Sequence, residues 1–308
     1  MQILGLESLI FGVEDMAAAR SYLVDYGLHE KTSDQTGGIY EAADGTSIVI
    51  KHANDSSLPV ANAPSPNLRE TIYGVADKAV LEEIAAELTK DREVRLDNDG
   101  TLHSVDDGGY AIGFRLTCRR KIELPIISFN IPGQSGGRAI NEYAALKAEQ
   151  IRPRTLSHVV YFVPDVKKAE AFYQNRLGFR VTDRFIGLGP FMRPAGTLDH
   201  HCLFMIQSFN NHMIGMNHFT FHFGSGHEVL HAGWRFSQRG YKSFWGPGRH
   251  VMGSNYFWYF NSPFGGTMEF DADMDRHDDG WTPREMEPGA DNSQVFLFEA
   301  RDKWAPGG

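Results

Sequence analysis

The sequence predicts an α+β fold assembled from four βαβββ modules, two in each half of the chain. Three observations carry that expectation. The first is a repeat: residues 6–28 (LESLIFGVEDMAAARSYLVDYGL) and 156–179 (LSHVVYFVPDVKKAEAFYQNRLGF) share one plan. Each runs as an apolar strand, an Asp, an amphipathic helix and a Gly. The second is that strand-then-helix patterning returns at residues 70–89 and 217–239. The third is that each of the four copies is followed by alternating segments separated by turn residues. Residues 40–51, 109–116, 199–207 and 256–260 are examples, and they read as strands.

The elements follow in order. Asp15 and Asp165 stand where a carboxylate caps the free N–H groups of a helix start. Gly27 and Gly178 stand where a helix ends in a left-handed residue. The organisation read from these signals is a first domain over 1–121, a connector over 122–154, a second domain over 155–275 and a tail over 276–308. The connector holds a GQSGG turn at 133–137, and residues 141–148 read as a short helix. The segment after Asp271, rich in Asp, Arg, Gly and Pro, reads as an irregular, partly ordered wrap over the second domain.

Bulk properties exclude some functions. The 308 residues carry a formal net charge of -9 and no basic stripe, which argues against a nucleic-acid or anionic-membrane partner. Cys118 and Cys202 lie far apart and outside any CxxC pattern, so neither a disulfide framework nor a zinc ribbon is expected. The N-terminus has no basic, apolar, small-residue leader pattern, and no apolar run is long enough to span a bilayer. A cytoplasmic enzyme is the expectation.

Histidine points to where the chemistry lies. Of 13 histidines, only His29, His52 and His103 fall in the first half. His158 sits inside the apolar strand LSHVVYF, and a lone histidine there is more often a satisfied core residue than a ligand. His218 occupies the matching strand of the fourth module, which raises the ligand reading. His222 shares a strand face with His218 by the two-residue period and competes with it. Glu269 lies within another apolar strand, where a buried carboxylate costs several kcal/mol unless paired or metal-bound. Together His158, His218 and Glu269 make a two-histidine, one-carboxylate set that leaves metal positions open for reactants. Zinc is the rival metal for such a set, but its helical HExxH pattern is absent.

The module plan and these three residues resemble the class I extradiol dioxygenases of the vicinal oxygen chelate superfamily. The resemblance extends from Leu6 to about Asp273. Its most specific stretch is residues 250–271, HVMGSNYFWYFNSPFGGTMEFD. There a His (His250), a Tyr nine residues later (Tyr259), an SPFGG turn and the Glu (Glu269) follow the family's spacing. The segment DHHCLF at 199–204 resembles the family's paired histidines before a strand. The resemblance implies two vicinal-oxygen-chelate domains with open mixed β-barrels, and a mononuclear Fe(II), or Mn(II), on His158, His218 and Glu269. It implies cleavage of a catechol-type ring by O2 to a muconic semialdehyde-type product, and a homo-oligomer. His201 takes the acid–base role, with His200 as the alternative; His250 and Tyr259 bond the substrate oxygens. Pocket candidates are His200, Phe191, Met192, Phe204, Phe219, Trp245 and Phe257. Arg184 and Arg193 are weaker candidates for reading a substrate carboxylate. In the first half, Ser8 falls at the position of His158, Arg69 or Glu70 at that of His218, and Ile112 near that of Glu269, so no ligand set is expected there. Rival readings are a glyoxalase-like isomerase of the same superfamily and a metal-free small-molecule binding protein.

Overall fold

A computed structural model describes residues 1–145 and 147–298. Four successive βαβββ modules make up most of it. The first runs β1 (Ile3–Val13), α1 (Met16–Tyr26), β2 (His29–Ser33), β3 (Gly37–Glu41) and β4 (Ser47–His52). The second runs β5 (Asn67–Val75), α2 (Lys78–Leu88), β6 (Arg95–Leu96), β7 (Leu102–Val105) and β8 (Ala111–Leu116). The third runs β9 (Thr155–Val163), α3 (Val166–Leu177), β10 (Phe179–Phe185), β11 (Gly189–Pro194) and β12 (Leu203–Gln207). The fourth runs β13 (Met216–His222), α4 (Gly226–Gln238), β14 (Ser243–His250), β15 (Tyr256–Asn261) and β16 (Thr267–Ala272).

The helix ends form for the reasons read from sequence. The Asp15 carboxylate accepts from Ala18 N at 2.9 Å and Asp165 accepts from Lys168 N at 3.0 Å. Gly27 (φ 115°) and Gly178 (φ 72°) close their helices in the left-handed region.

Two mixed sheets result, on the same plan. The first has strand order β2-β3-β4-β1-β5-β8-β7-β6; the second contains β10-β11-β12-β9-β13-β16-β15-β14. In each, the first strands of its two modules pair antiparallel at the centre, β1 with β5 and β9 with β13. Each of those central strands pairs in parallel with the last strand of its own module. Central strands are buried on both faces, which is why β1 and β9 read as near-continuous apolar runs. One apolar core joins both sheets: Phe11 packs on Phe219 and Phe264, with ring centroids 5.1 Å apart in each case, and Tyr110 stacks on Tyr161 at 4.2 Å.

Two expectations are corrected. Residues 141–148 form no α-helix among the described residues; only a 3-10 turn over Ala148–Gln150 appears. Tyr143 is 79% exposed there, and so short a segment does not sustain a helix by itself. The tail, expected to be an irregular, partly ordered wrap over the second domain, is more regular than that and supplies β17 (Arg284–Met286) and β18 (Gln294–Leu297), with a four-residue helix, α5 (Ala290–Ser293), before β18. β17 adds in parallel to β10 and β18 adds antiparallel to β14, so the tail closes both edges of the second sheet. No helix among the described residues is long and apolar enough to cross a membrane.

Candidate active site

Three neighbouring strands of the second sheet carry the candidate ligands: His158 on β9, His218 on β13 and Glu269 on β16. Strand register brings them together. Thr220 of β13 is opposite both His158 and Glu269, and His218 lies two residues away on the same face. His158 Nε2 is 3.3 Å from His218 Nε2 and 3.2 Å from Glu269 Oε2, and the third edge of the triangle is 3.7 Å. Ligand atoms about 2.1 Å from one ion at right angles would stand roughly 3 Å apart. All three residues are buried, and no other group of His, Cys, Asp and Glu among the described residues converges in this way.

The donor set fits a cation in its chemistry as well. Both Glu269 carboxylate oxygens are buried without a hydrogen-bond partner, which is costly for a carboxylate without a positive neighbour. Burial, chiefly, pushes His158 and His218 down to about 3, so both rings are neutral with a lone pair to offer. His218 Nδ1 lies 2.5 Å from Asn217 Oδ1, and a neutral ring donating there keeps Nε2 bare. His158 Nδ1 lies 3.1 Å from Ser157 Oγ, which in turn donates to Asp271 at 3.3 Å. His222, the competitor, turns instead to Asp271 at 2.6 Å and stands outside the triangle. Burial alone would lower its basicity, but Asp271 raises it to about 9.

The remaining polar groups surround the triangle. The His201 ring lies 4.3 Å from that of His158, and the Tyr259 ring 5.0 Å from that of His218. Tyr259 is the cross-strand partner of Glu269, which places both side chains on one face. His250 Nε2 is 3.3 Å from the Tyr259 hydroxyl and 3.7 Å from Glu269 Oε1. Burial and then the Glu269 charge hold Tyr259 well above the ordinary phenol range, so it is a hydrogen-bond donor at neutral pH. Burial, followed by the neighbouring His158, holds His201 well below the usual histidine range.

These groups line one cavity with an aromatic wall. Phe191 and Phe204 stack at 4.1 Å and 9°, and Phe185, Phe244, Trp245, Val160 and Met252 complete the apolar side. Four of the residues expected in the pocket from sequence are corrected. Met192 and Phe219 are fully buried in the shared core, on the strand faces opposite Phe191 and His218. Phe257 is behind the wall, stacked on the His250 ring at 4.0 Å. His200 does not line the cavity; it is fully buried behind His201. Of the two weaker candidates, Arg184 pairs with Glu170 and Arg193 with Asp279, and neither faces the cavity.

Sequence reasoning missed Val160, Thr267, Asn217, Phe185, Phe244, Met252, Asn255, Ser293 and Gln294, which also line it. Val160 and Thr267 are two residues from His158 and Glu269, so strand period could have found them. Phe185, Asn217 and Phe244 lie at strand ends, Met252 and Asn255 in a loop, and Ser293 and Gln294 in the tail, none with a local signal. In the first sheet the register places Glu70, not Arg69, at the position of His218, and Gly113 beside Ile112 at that of Glu269.

Comparison with known proteins agrees with this architecture. Residues 155–270 match the profile of the glyoxalase/bleomycin resistance protein/dioxygenase superfamily. A curated relative, metapyrocatechase 2 of Cupriavidus necator, is 35% identical over 144 residues, covering 47% of this chain and 43% of that protein. The match thus spans less than half the length of that relative. Among solved structures, the Mn(II)-bound glyoxalase of Novosphingobium aromaticivorans superposes with a TM-score of 0.74 at 18% identity, over 94% of this chain and 89% of that one. The 2,2',3-trihydroxybiphenyl 1,2-dioxygenase of Sphingomonas wittichii gives 0.73 at 16% identity, over 97% and 100%. The 2,3-dioxygenase LapB of a Pseudomonas species gives 0.71 at 16% identity, over 92% and 98%. Residues 155–270, which carry the site, are thus similar to the glyoxalase/bleomycin resistance protein/dioxygenase superfamily, and the whole chain shares its two-sheet fold with these solved structures.

Proposed function

We propose that this protein is an extradiol dioxygenase that opens a catechol-type ring with O2 at a mononuclear metal, Fe(II) or alternatively Mn(II), in the breakdown of aromatic compounds in the cytoplasm. The observation that carries this reading is one buried triangle of His158, His218 and Glu269 facing His201, His250 and Tyr259 across an aromatic-walled cavity. A metal-free binding protein has no use for a buried carboxylate with two bare imidazoles. An isomerase has no evident need of the second trio.

His158, His218 and Glu269 would hold the metal, their net charge being minus one. When bound, the metal supplies the redox chemistry between a chelated catechol and O2. The other side chains have separate tasks. His201 takes the proton of a catechol hydroxyl and later returns it to a reacting oxygen. The Tyr259 hydroxyl donates to the substrate oxygen nearest it, and His250 supports that hydroxyl. Phe191, Phe204 and Trp245 enclose the ring and exclude water, as an apolar pocket with few polar anchors does.

Anaerobic metal analysis followed by O2 uptake with a panel of catechols tests the reading. The expected result is about one Fe or Mn per chain, O2 consumption and a yellow ring-opened product, all lost in His218→Ala. Metal binding without O2 uptake on any catechol would favour the isomerase. Absence of metal binding would favour a binding protein.

A further inference from the structure

Behind His201 lies a line of buried polar groups. His201 Nδ1 is 2.9 Å from His200 Nδ1, and His200 Nε2 is 2.9 Å from Asp183 Oδ2. His200 and Asp183 are both fully buried. Asp183 is held in turn by Arg284 of the tail strand: its carboxylate accepts from the Arg284 backbone N–H at 2.9 Å, from Nε at 3.1 Å and from Nη2 at 2.5 Å. The register of β10 against β17 sets this contact, pairing Asp183 directly with Arg284.

Hydrogen-bond bookkeeping along this line has one solution for neutral rings. An ionised carboxylate only accepts, so His200 carries its proton on Nε2. Its Nδ1 is then the acceptor, so the proton between the two rings belongs to His201 Nδ1. A neutral His201 with Nδ1 protonated has a bare Nε2. Arg284 matters because it already neutralises Asp183. Without its side-chain donors, the carboxylate would be free to turn away from His200 Nε2, and neither ring would be held to one tautomer.

We propose that Asp183 and Arg284 are positioning residues that fix the tautomer of His200, and through it that of His201, so that His201 offers a bare Nε2 to the cavity. The consequence for catalysis rests on the dioxygenase reading above; the tautomer itself does not. Asp183 and Arg284 belong to neither the ligand triangle nor the cavity lining, but Asp183 is the cross-strand partner of Phe191, so the tautomers themselves, and not turnover alone, must be read to test the relay. Holding a catalytic imidazole in one tautomer by a buried carboxylate is a known source of large rate effects.

Long-range 1H–15N spectra of the metal-free protein, labelled at the histidine ring nitrogens, read each tautomer without catalysis. His201→Gln assigns the His201 signals. The wild type is expected to show His201 protonated at Nδ1 and His200 at Nε2. Asp183→Asn, which puts an amide N–H among three donors, is expected to exchange both tautomers. Turnover of the best catechol should then fall about 10²- to 10⁴-fold while KM moves by less than about threefold. If that variant does not fold, Arg284→Met is read instead: with the side-chain donors to Asp183 gone, His200 and His201 are each expected to show a mixture of both tautomers. A wild-type His201 protonated at Nε2, or tautomers unchanged in the folded variants, would overturn the proposal. Expected tautomers in a protein that oxidises no catechol support the relay and overturn the dioxygenase reading instead.

Discussion

The Tyr26 hydroxyl donates to the main-chain carbonyl of Glu269 at 2.6 Å, so a helix of the first sheet's half reaches the strand that carries the candidate carboxylate ligand. The same carbonyl accepts from Thr220 Oγ1 at 2.7 Å, and the Tyr26 ring packs on Phe270 at 4.2 Å. The half without the ligand triangle therefore helps to set the position of β16.

Tyr26→Phe removes one of those two donors and keeps the ring. The expected loss is about 1 kcal/mol of stability and about tenfold in metal affinity. Urea unfolding and an anaerobic metal titration read the two effects separately. Unchanged metal affinity would show that Thr220 and the ladders to β13 and β15 hold the strand without Tyr26.

Glu269→Gln separates folding from metal binding. In the metal-free protein the buried carboxylate has no hydrogen-bond partner, so removing its charge should raise the metal-free Tm. The stabilisation that metal gives the wild type, about 2.7 kcal/mol at a hundredfold excess over Kd and read as a rise in Tm, should vanish in the variant. A wild type whose Tm does not respond to Fe(II) or Mn(II) would count against the site.

Phe191→Ala opens the stacked wall formed with Phe204. We expect a stability loss of about 3 kcal/mol, together with a roughly tenfold gain in kcat/KM for an aryl-substituted catechol relative to catechol itself. A uniform loss across all catechols would place the substituent elsewhere in the cavity.

In the first sheet, Glu70 occupies the place of His218 but bonds His103 Nδ1 at 2.6 Å. That bond outweighs burial and raises the His103 pKa above its ordinary 6.5. A raised folded-state value means the pair's contribution is fully present below pH 6.5 and is lost as pH rises through the folded-state pKa. The Tm difference between wild type and Glu70→Gln should accordingly be larger at pH 6 than at pH 9, by thermal melts in matched buffers. Equal differences at both pH values would mean that His103 is neutral throughout.

What could be read in the sequence had a local cause. His158 and His218 stood out because the repeat put them on equivalent strands, and Glu269 because a carboxylate in an apolar strand demands a partner. The order of the four modules followed from caps, glycines and apolar period. Failures came where the cause is distant. Residues 141–148 have helical propensity but are too few to sustain a helix alone, and β17 and β18 form by pairing with the edges of β10 and β14, which are distant in sequence. His200 and His201 are neighbours in sequence, so only the packing that buries one and turns the other to the cavity separates them. The alternation that put Phe191 in the cavity also took Met192 away from it.

The two sheets protect their margins differently. The first ends in β2, a short polar strand exposed along its length, and in the two-residue β6. The second relies on β17 and β18, which are the last described strands to emerge during synthesis. Until residues 284–297 leave the ribosome, β10 and β14 present open hydrogen-bonding margins to any other nascent chain. These later strands therefore end the interval in which neighbouring polysomal chains could pair with these margins, and slow translation of that stretch should lower the yield of soluble protein.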